Sequence, residues 1–510
     1  MLQVSLFVEL LRAKPVTIFW IATLAQAALW WLFPMLFYLG PPGDLAETLA
    51  IGHEFQLGSY LGPPVAFWIA EIAFRILGSA GVYLLAQVCV AVTYWAIFTL
   101  GRAIVGVHHA AIAVLLMAGV SIFTVPSPDF GPPTLAMMLT ALVFLHFWRA
   151  LGEGKRIYWF FLALELGLLM LTSVFGLILA GLLAVFMGAT ERGQAALGSI
   201  EPWIAGLVVV VMLFPYLIWL DLVGDVITPI LVRMHSAEAA DTNLTQWARL
   251  LFGLLLTHSG IAILVVLASG WKLRTPKDVP VFERAPIDPL ARHFVYFFSL
   301  APAFVSTLIA VLIGQPSPIG GSAPVVVMSG LAVVVAVGDA IHLHRQRIVG
   351  YAWAALLVLP AVATVGAILV LPWIAGIDLK IAQPADAMGR FFSESFQRRT
   401  GKPLAIVSGD PRTAELVAFG SASRPSVYFA NAPDQSPWIT PEDVQRKGAV
   451  VVWPTTDTAG TPPADIRARF PDLVPEVPRA FERLIQGRLP LQRIGWGMIR
   501  PVASEPTAPR

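Results

Sequence analysis

Charge is what this 510-residue sequence has least of. Lys, Arg, Asp and Glu together make up 13% of it, about half the share an ordinary soluble domain carries, which excludes a cytosolic enzyme of this length. Cysteine is almost absent. Cys89 stands alone inside an apolar run, so no intrachain disulfide can form and cysteine usage leaves the compartment undecided. A basic excess is also missing: the formal net charge is +2, which argues against a nucleic-acid partner. No internal repeat with paired broken spans is visible, which argues against the usual transporter build. What fills the space is apolar, 57% of all residues, and the class that remains is a polytopic α-helical membrane protein.

The few charges are unevenly placed. Residues 376–510 hold 17 basic and 14 acidic side chains, against 17 and 18 in the far longer stretch 1–375. A membrane region, 1–375, is therefore expected to precede a soluble domain, 376–510. The first apolar stretch, Val16 to Leu39, has full span length and no small-residue cleavage site after it, and reads as a permanent span rather than a signal peptide.

Hydropathy places spans near 16–38, 80–100, 108–124, 132–150, 157–172, 174–190, 202–220, 250–270, 293–314, 324–343 and 350–374, about 11 transmembrane helices. The 34 residues from 157 to 190 are short for two crossings, so that pair could be short, re-entrant or one long helix. With a cytoplasmic N-terminus, the inner loops carry fourteen basic residues, among them Arg12, Lys14, Arg102, Arg149, Arg192, Lys272, Arg284 and Arg345, and the outer loops only Arg75, Arg233 and Arg249. That bias puts the C-terminal domain outside, in the periplasm of a bacterium.

The outer loop 39–79 is too polar to span, with Asp44, Glu47, His53, Glu54 and Gln56, yet rich in Leu, Ala, Ile and Phe. It reads as two amphipathic surface helices near 44–57 and 63–77, broken at Gly62-Pro63-Pro64. In the C-terminal domain, strands are expected at 404–408, 426–430, 448–453 and 494–499, and helices near 385–399, 411–419, 440–446 and 478–486. This predicts a small α/β layer with a mostly parallel sheet, the Pro-rich stretch 454–478 being a loop. No glycine-rich phosphate cradle opens a helix there, so the domain caps a membrane site rather than binding a nucleotide.

Asp44 is the leading catalytic candidate. It follows the first span in Gly40-Pro-Pro-Gly-Asp44-Leu-Ala-Glu47, where a carboxylate held by a stiff turn and partly screened from water could act as a general base. The same spacing also fits an N-cap, with Glu47 at N3. Asp129, in the short loop Ser127-Pro-Asp129-Phe130, is a second acid at the outer boundary, and again a possible cap. Arg75, Arg233, His235 and Arg249 are the outer groups available to a phosphate leaving group, although basic side chains at span ends also snorkel to headgroups. Within the apolar region, Glu165 could be protonated or paired with His146, Asp339 is expected to be solvated or paired, and His258 packed and satisfied. No His, Cys and carboxylate cluster has metal spacing, so neither a metal nor a cofactor is expected.

Taken in order, Asp44 after the first span, the loop ending Gly58-Ser-Tyr60-Leu-Gly-Pro63-Pro64, Ser127-Pro-Asp129-Phe130, and Pro215-Tyr-Leu-Ile-Trp219 with the acidic loop after it resemble glycosyltransferase family 39. These GT-C fold enzymes include protein O-mannosyltransferases, lipid A aminoarabinose transferases and lipopolysaccharide galacturonosyltransferases. The resemblance implies an inverting transfer of a sugar from a polyprenyl-phosphate carrier to an envelope lipid or glycan, at the outer leaflet of the inner membrane. It maps the family's loop acids onto Asp44 and Asp129. Glu47 and Tyr60 then join Arg75, Arg233, His235 and Arg249 as expected donor-phosphate or substrate contacts. The chain departs from the family pattern at Leu45, Gly62, Ser173-Val174 and Tyr216. The alternative is a non-enzymatic protein that binds or transports a lipid-linked sugar on the same frame.

Overall fold

The computed structural model describes residues 2–223, 239–269, 281–471 and 473–502. It divides into two compact units. One comprises residues 1–32, 61–66 and 82–362, the other 33–60, 67–81 and 363–510.

The first unit is helical. All eleven expected spans land on apolar helices. Among the described residues, six helices have the length and composition to cross a membrane: Pro15–Phe37, Ser79–Val105, Pro132–Leu151, Glu201–Leu222, Pro289–Leu312 and Gln346–Ile374. Two bent pairs raise that to eight, Phe175–Ala189 with Glu191–Leu197 at 105° and Leu244–Thr257 with Ser259–Ser269 at 52°. Val107–Met117, Tyr158–Met170 and Pro324–Val337 are apolar but shorter than the ~20 residues a bilayer requires. The region 157–190 is thus two short helices and not one long one.

Three details differ from expectation. A helix at Leu2–Ala13 precedes the first span, ending just before Pro15. The segment expected to run to 124 stops at Met117, and a 3-10 turn, Ser121–Phe123, follows. The segment expected to run to 343 stops at Val337, where Gly338 has a φ of 104°. The chain then forms β2 (Ala340–His342), antiparallel to β1 (Val281–Glu283) with Phe282 opposite Ile341.

Packing within this unit follows two patterns. Phe144 and Phe147, one turn apart, meet Phe294 and Phe298, also one turn apart, at centroid separations between 5.0 and 6.4 Å, pairs worth about 0.5–1.5 kcal/mol each beyond burial. Gly119 and Gly260 allow direct backbone crossing: a Cβ on Gly260 would lie 2.5 Å from the Gly119 carbonyl oxygen. Lipid offers helices no hydrophobic drive to associate, so close approach through small residues carries the contact.

The polar groups singled out within the apolar region, Glu165, Asp339 and His258, each have a partner. His146 Nδ1 lies 2.7 Å from Glu165, Arg284 lies 3.3 Å from Asp339, and His258 bonds the Leu254 carbonyl and Ser329.

The second unit contains a five-stranded sheet: β3 (Ile406–Gly409), β4 (Ser426–Tyr428), β5 (Ala449–Thr455), β6 (Pro475–Phe481) and β7 (Gln492–Ile499), in the order β4-β3-β5-β7-β6. The four expected strands and the helices Ala385–Thr400, Pro411–Gly420 and Pro441–Lys447 form where the sequence places them. The helix expected at 478–486 does not. Its first half is strand β6, paired antiparallel to β7; Pro475 and Pro478 disfavour helix and are tolerated on an edge strand. The sheet is mixed rather than mostly parallel, since β4-β3-β5 run parallel and β5-β7-β6 antiparallel. The stretch expected as a plain loop, 454–478, includes a short helix, Ala464–Arg469.

Candidate active site

The loop after the first span folds as predicted into two helices, Leu45–His53 and Val65–Leu77. In the first, Leu45, Thr48, Leu49, Ala50, Ile51 and Gly52 are all buried, so burial extends beyond a single stripe of the helix. Helix Pro411–Gly420 packs against it. That helix is started by Asp410, whose carboxylate accepts from the Thr413 backbone N–H at 3.0 Å and hydroxyl at 2.6 Å, and by Pro411 in the first turn. The segment before Leu45–His53 is tied down as well. The backbone N–H groups of Leu39 and Gly40 both donate to the Ile381 carbonyl, and a Cβ on Gly40 would meet the Lys380 carbonyl oxygen at 2.7 Å.

This approach places Lys380 beside Asp44. The ammonium donates to Asp44 Oδ1 and to the Gly43 carbonyl, each at 2.9 Å. Asp44 does occupy the N-cap position, but its side chain makes no cap bond. The Pro/Gly turn does not screen it either: the Asp44 side chain is 75% exposed. It is an accessible carboxylate held by a cation.

Glu47, one turn on, accepts the Tyr60 hydroxyl at 2.5 Å. Burial and that bond push the Tyr60 phenol well above its ordinary range, so it stays a neutral donor. Facing them is Glu415, from helix Pro411–Gly420. Burial, then repulsion from Glu47, Asp410 and Asp44, pushes its pKa up to about 8, against the opposing pull of Lys380. A carboxyl that keeps its proton near neutral pH can donate as well as accept.

A second cluster centres on Glu71, 1% exposed. It receives Arg424 at 2.7 Å, Arg75 Nε at 2.9 Å and His53 Nδ1 at 3.2 Å. Burial opposes its ionisation, but His53, Arg424 and Arg75 outweigh burial and hold it below the ordinary carboxylate range. Arg424 also stacks over Phe74, 4.4 Å from the ring centroid. Arg75 lies over Phe55 with its side chain 54% exposed, so its guanidinium is oriented by Glu71 rather than simply snorkelling.

Of the remaining expected residues, the two that are described belong to the first unit. Asp129 is half-buried in the first unit. Its backbone carbonyl accepts from the Thr134 hydroxyl at 2.9 Å, and the following helix is capped by Gly131 and not by Asp129. Arg249 is exposed on helix Ala239–Thr257. Arg233 and His235 lie outside the described residues. Lys380, Glu415, Glu71 and Arg424 were not expected. Nothing local marks Lys380, Glu415 or Arg424, which lie more than 300 residues from the loop they contact. Glu71 alone left a trace, as an acid on the apolar run Val65–Leu77.

Residues 62–219 match the family described as dolichyl-phosphate-mannose-protein mannosyltransferase, within glycosyltransferase family 39. No curated protein matches the chain by sequence. Among solved structures, ArnT from Cupriavidus metallidurans bound to undecaprenyl phosphate aligns with a TM-score of 0.57 at 12% identity, over 96% of this chain and 99% of that one. The same ArnT in the apo state gives 0.47 at 12% identity, over 97% and 100%. The oligosaccharyltransferase AglB from Archaeoglobus fulgidus, in complex with an inhibitory peptide and a dolichol-phosphate, gives 0.45 at 14% identity, over 86% and 69%. The chain is thus a multi-pass membrane protein of the GT-C fold, and its resemblance to glycosyltransferase family 39 stands, with the family match lying in residues 62–219.

Proposed function

We propose that this protein transfers a sugar from a polyprenyl-phosphate carrier to a hydroxyl or phosphate of an envelope lipid or glycan such as lipid A, with inversion at the anomeric carbon. The observation that carries this reading is the Asp44–Lys380 pair, an accessible base beside a cation at the end of a span. The family match and the GT-C fold support it.

In this reaction the acceptor oxygen attacks the anomeric carbon opposite the carrier phosphate. The bond from that carbon to the phosphate oxygen breaks, polyprenyl phosphate leaves, and for a hydroxyl acceptor its proton passes to the Asp44 carboxylate. An ammonium has three donors. Lys380 spends two on Asp44 and Gly43, and the third serves the leaving phosphate as charge develops on it. Arg75, aimed by Glu71, is a second cation for the donor phosphate, with Arg249, Arg233 and His235 as further candidates. Tyr60 and Glu47 contact the sugar or acceptor, and Asp129 is the second acid of the reaction. The excess of basic residues in alternate loops supports a cytoplasmic N-terminus, with residues 376–510 forming a soluble periplasmic domain on a bacterial inner-membrane protein.

The test is transfer by the purified protein in nanodiscs, supplied with radiolabelled polyprenyl-phosphate sugars and an envelope-lipid extract, for wild type and Asp44→Asn. Loss of at least a hundredfold in the well-folded variant is expected. Equal transfer by both proteins would sink the role of Asp44, and donor binding without transfer would favour a carrier-binding protein.

A further inference from the structure

Where helix Ser79–Val105 ends, the chain turns at one residue, Gly106, and starts a second helix, Val107–Met117. Gly106 occupies the N-cap position with a φ of 81°, a left-handed conformation that favours glycine, and no side chain caps this helix. Its first backbone N–H groups, at the positive end of an 11-residue helix, thus lack the acceptor a Ser or Asp cap supplies. A cavity of about 340 Å³ opens against this helix start, lined by Arg102, Gly106, His108, His109, Glu283 and Arg284 among others.

Two of these side chains are buried and incompletely bonded. The Arg284 side chain is 4% exposed. Its Nε and Nη2 donate to the Gly338 carbonyl at 3.2 and 2.9 Å, and Nη2 lies 3.3 Å from Asp339. Nη1 is buried with no partner among the described residues. His109 is 1% exposed, and its Nε2 likewise has no partner among the described residues. His108 is already committed through Nε2 to the Arg12 carbonyl at 3.0 Å. Arg102 and Glu283 are exposed, the one adding positive charge and the other a carboxylate that an incoming anion must avoid.

The missing partner of Arg284 is an acceptor, since a guanidinium only donates. Arg284, His109 and the uncapped helix start line a cavity large enough for a polyatomic group, Arg284 Nη1 is a buried donor with no partner among the described residues, and buried donors are normally satisfied. A tetrahedral oxyanion can accept from several such donors at once, and helix N-termini with a nearby Arg suit it. We propose that this pocket binds a phosphate group. It lies at the end of a membrane span, the level of phospholipid headgroups, so the phosphate can come from a lipid or from solution. The pocket shares no residue with those assigned to glycosyl transfer, and its failure would leave that reading untouched.

The test uses the full-length protein purified in detergent, with native mass spectrometry and thermal unfolding as readouts. The probes are phosphatidylglycerol, the phosphate-free lipid dioleoylglycerol, and inorganic phosphate. Wild type is expected to retain phosphatidylglycerol and not dioleoylglycerol, with the apparent dissociation constant raised at least tenfold in Arg284→Gln and in Arg102→Gln. Arg284→Gln also disturbs the turn at Gly338. Arg102→Gln changes an exposed side chain and reads binding without that complication. Stabilisation by inorganic phosphate, with displacement of the lipid, would support the site and assign a soluble source. Retention of phosphatidylglycerol unchanged in both variants, or no effect of either phosphate-bearing probe, would overturn the proposal.

Discussion

Glu71→Gln is the most informative single change, because the buried carboxylate is the common partner of Arg424, Arg75 and His53. The largest loss is that of Arg424, 17% exposed and 2.7 Å from Glu71. Removing one partner of a buried ion pair costs about 3–5 kcal/mol, mostly from the charge left behind. Arg75, more than half exposed, adds only about 0.3–0.5 kcal/mol after solvent screening. Gln keeps an acceptor oxygen, so the lower end, about 3 kcal/mol, is expected. That is about two powers of ten in the open fraction of this unit, readable as trypsin cleavage after Arg398 in the full-length protein. The sign with pH follows from the depressed Glu71 pKa. Its stabilisation is complete above the ordinary carboxylate value and is lost as pH falls through the folded value, so the gap between wild type and variant should narrow in acid. Arg424→Met, which keeps packing on Phe74, should restore much of the loss when combined with Glu71→Gln. A single-variant effect under about threefold, or a double variant no more resistant than Glu71→Gln alone, would refute this account of the cluster.

Lys380→Met should lower kcat for glycosyl transfer by about ten- to a thousandfold, through loss of a phosphate-facing charge, and Lys380→Arg should recover part of it; steady-state kinetics with a saturating donor decides this. Glu415 has a folded pKa of about 8 against 4.5 for the ordinary carboxyl, so its contribution to stability is fully present below the ordinary value and lost as pH rises through about 8. Glu415→Gln should therefore raise the unfolding temperature more at pH 8 than at pH 5, and a pH-independent difference would contradict the burial argument. Gly495 lies opposite Trp453 across β5 and β7, where a Cβ would fall 2.2 Å from the indole nitrogen. Gly495→Ala should cost about 1–3 kcal/mol by overpacking, measured by the same proteolysis.

Amino-acid order alone determined the membrane class, the position of the apolar helices and four of the five strands of the main sheet. Each of these rests on a local period or run of side chains that a lipid or a core must accept. The same local rules misread 478–486, where edge pairing of β6 with β7 outweighed a helical pattern, and they missed the antiparallel half of the sheet, because strand direction depends on how distant segments pair. The site divides in the same way. Asp44, Glu47, Tyr60 and Arg75 were legible as polar residues on a loop otherwise built to bury apolar ones. Lys380, Glu415 and Arg424 sit in unremarkable local sequence and acquire meaning only when helix Pro411–Gly420 packs on Leu45–His53 and the 380–383 turn closes on Gly40. Electrostatic interaction falls with distance in space and not along the chain, so their charges became partners of Asp44, Glu47 and Glu71 only through tertiary packing.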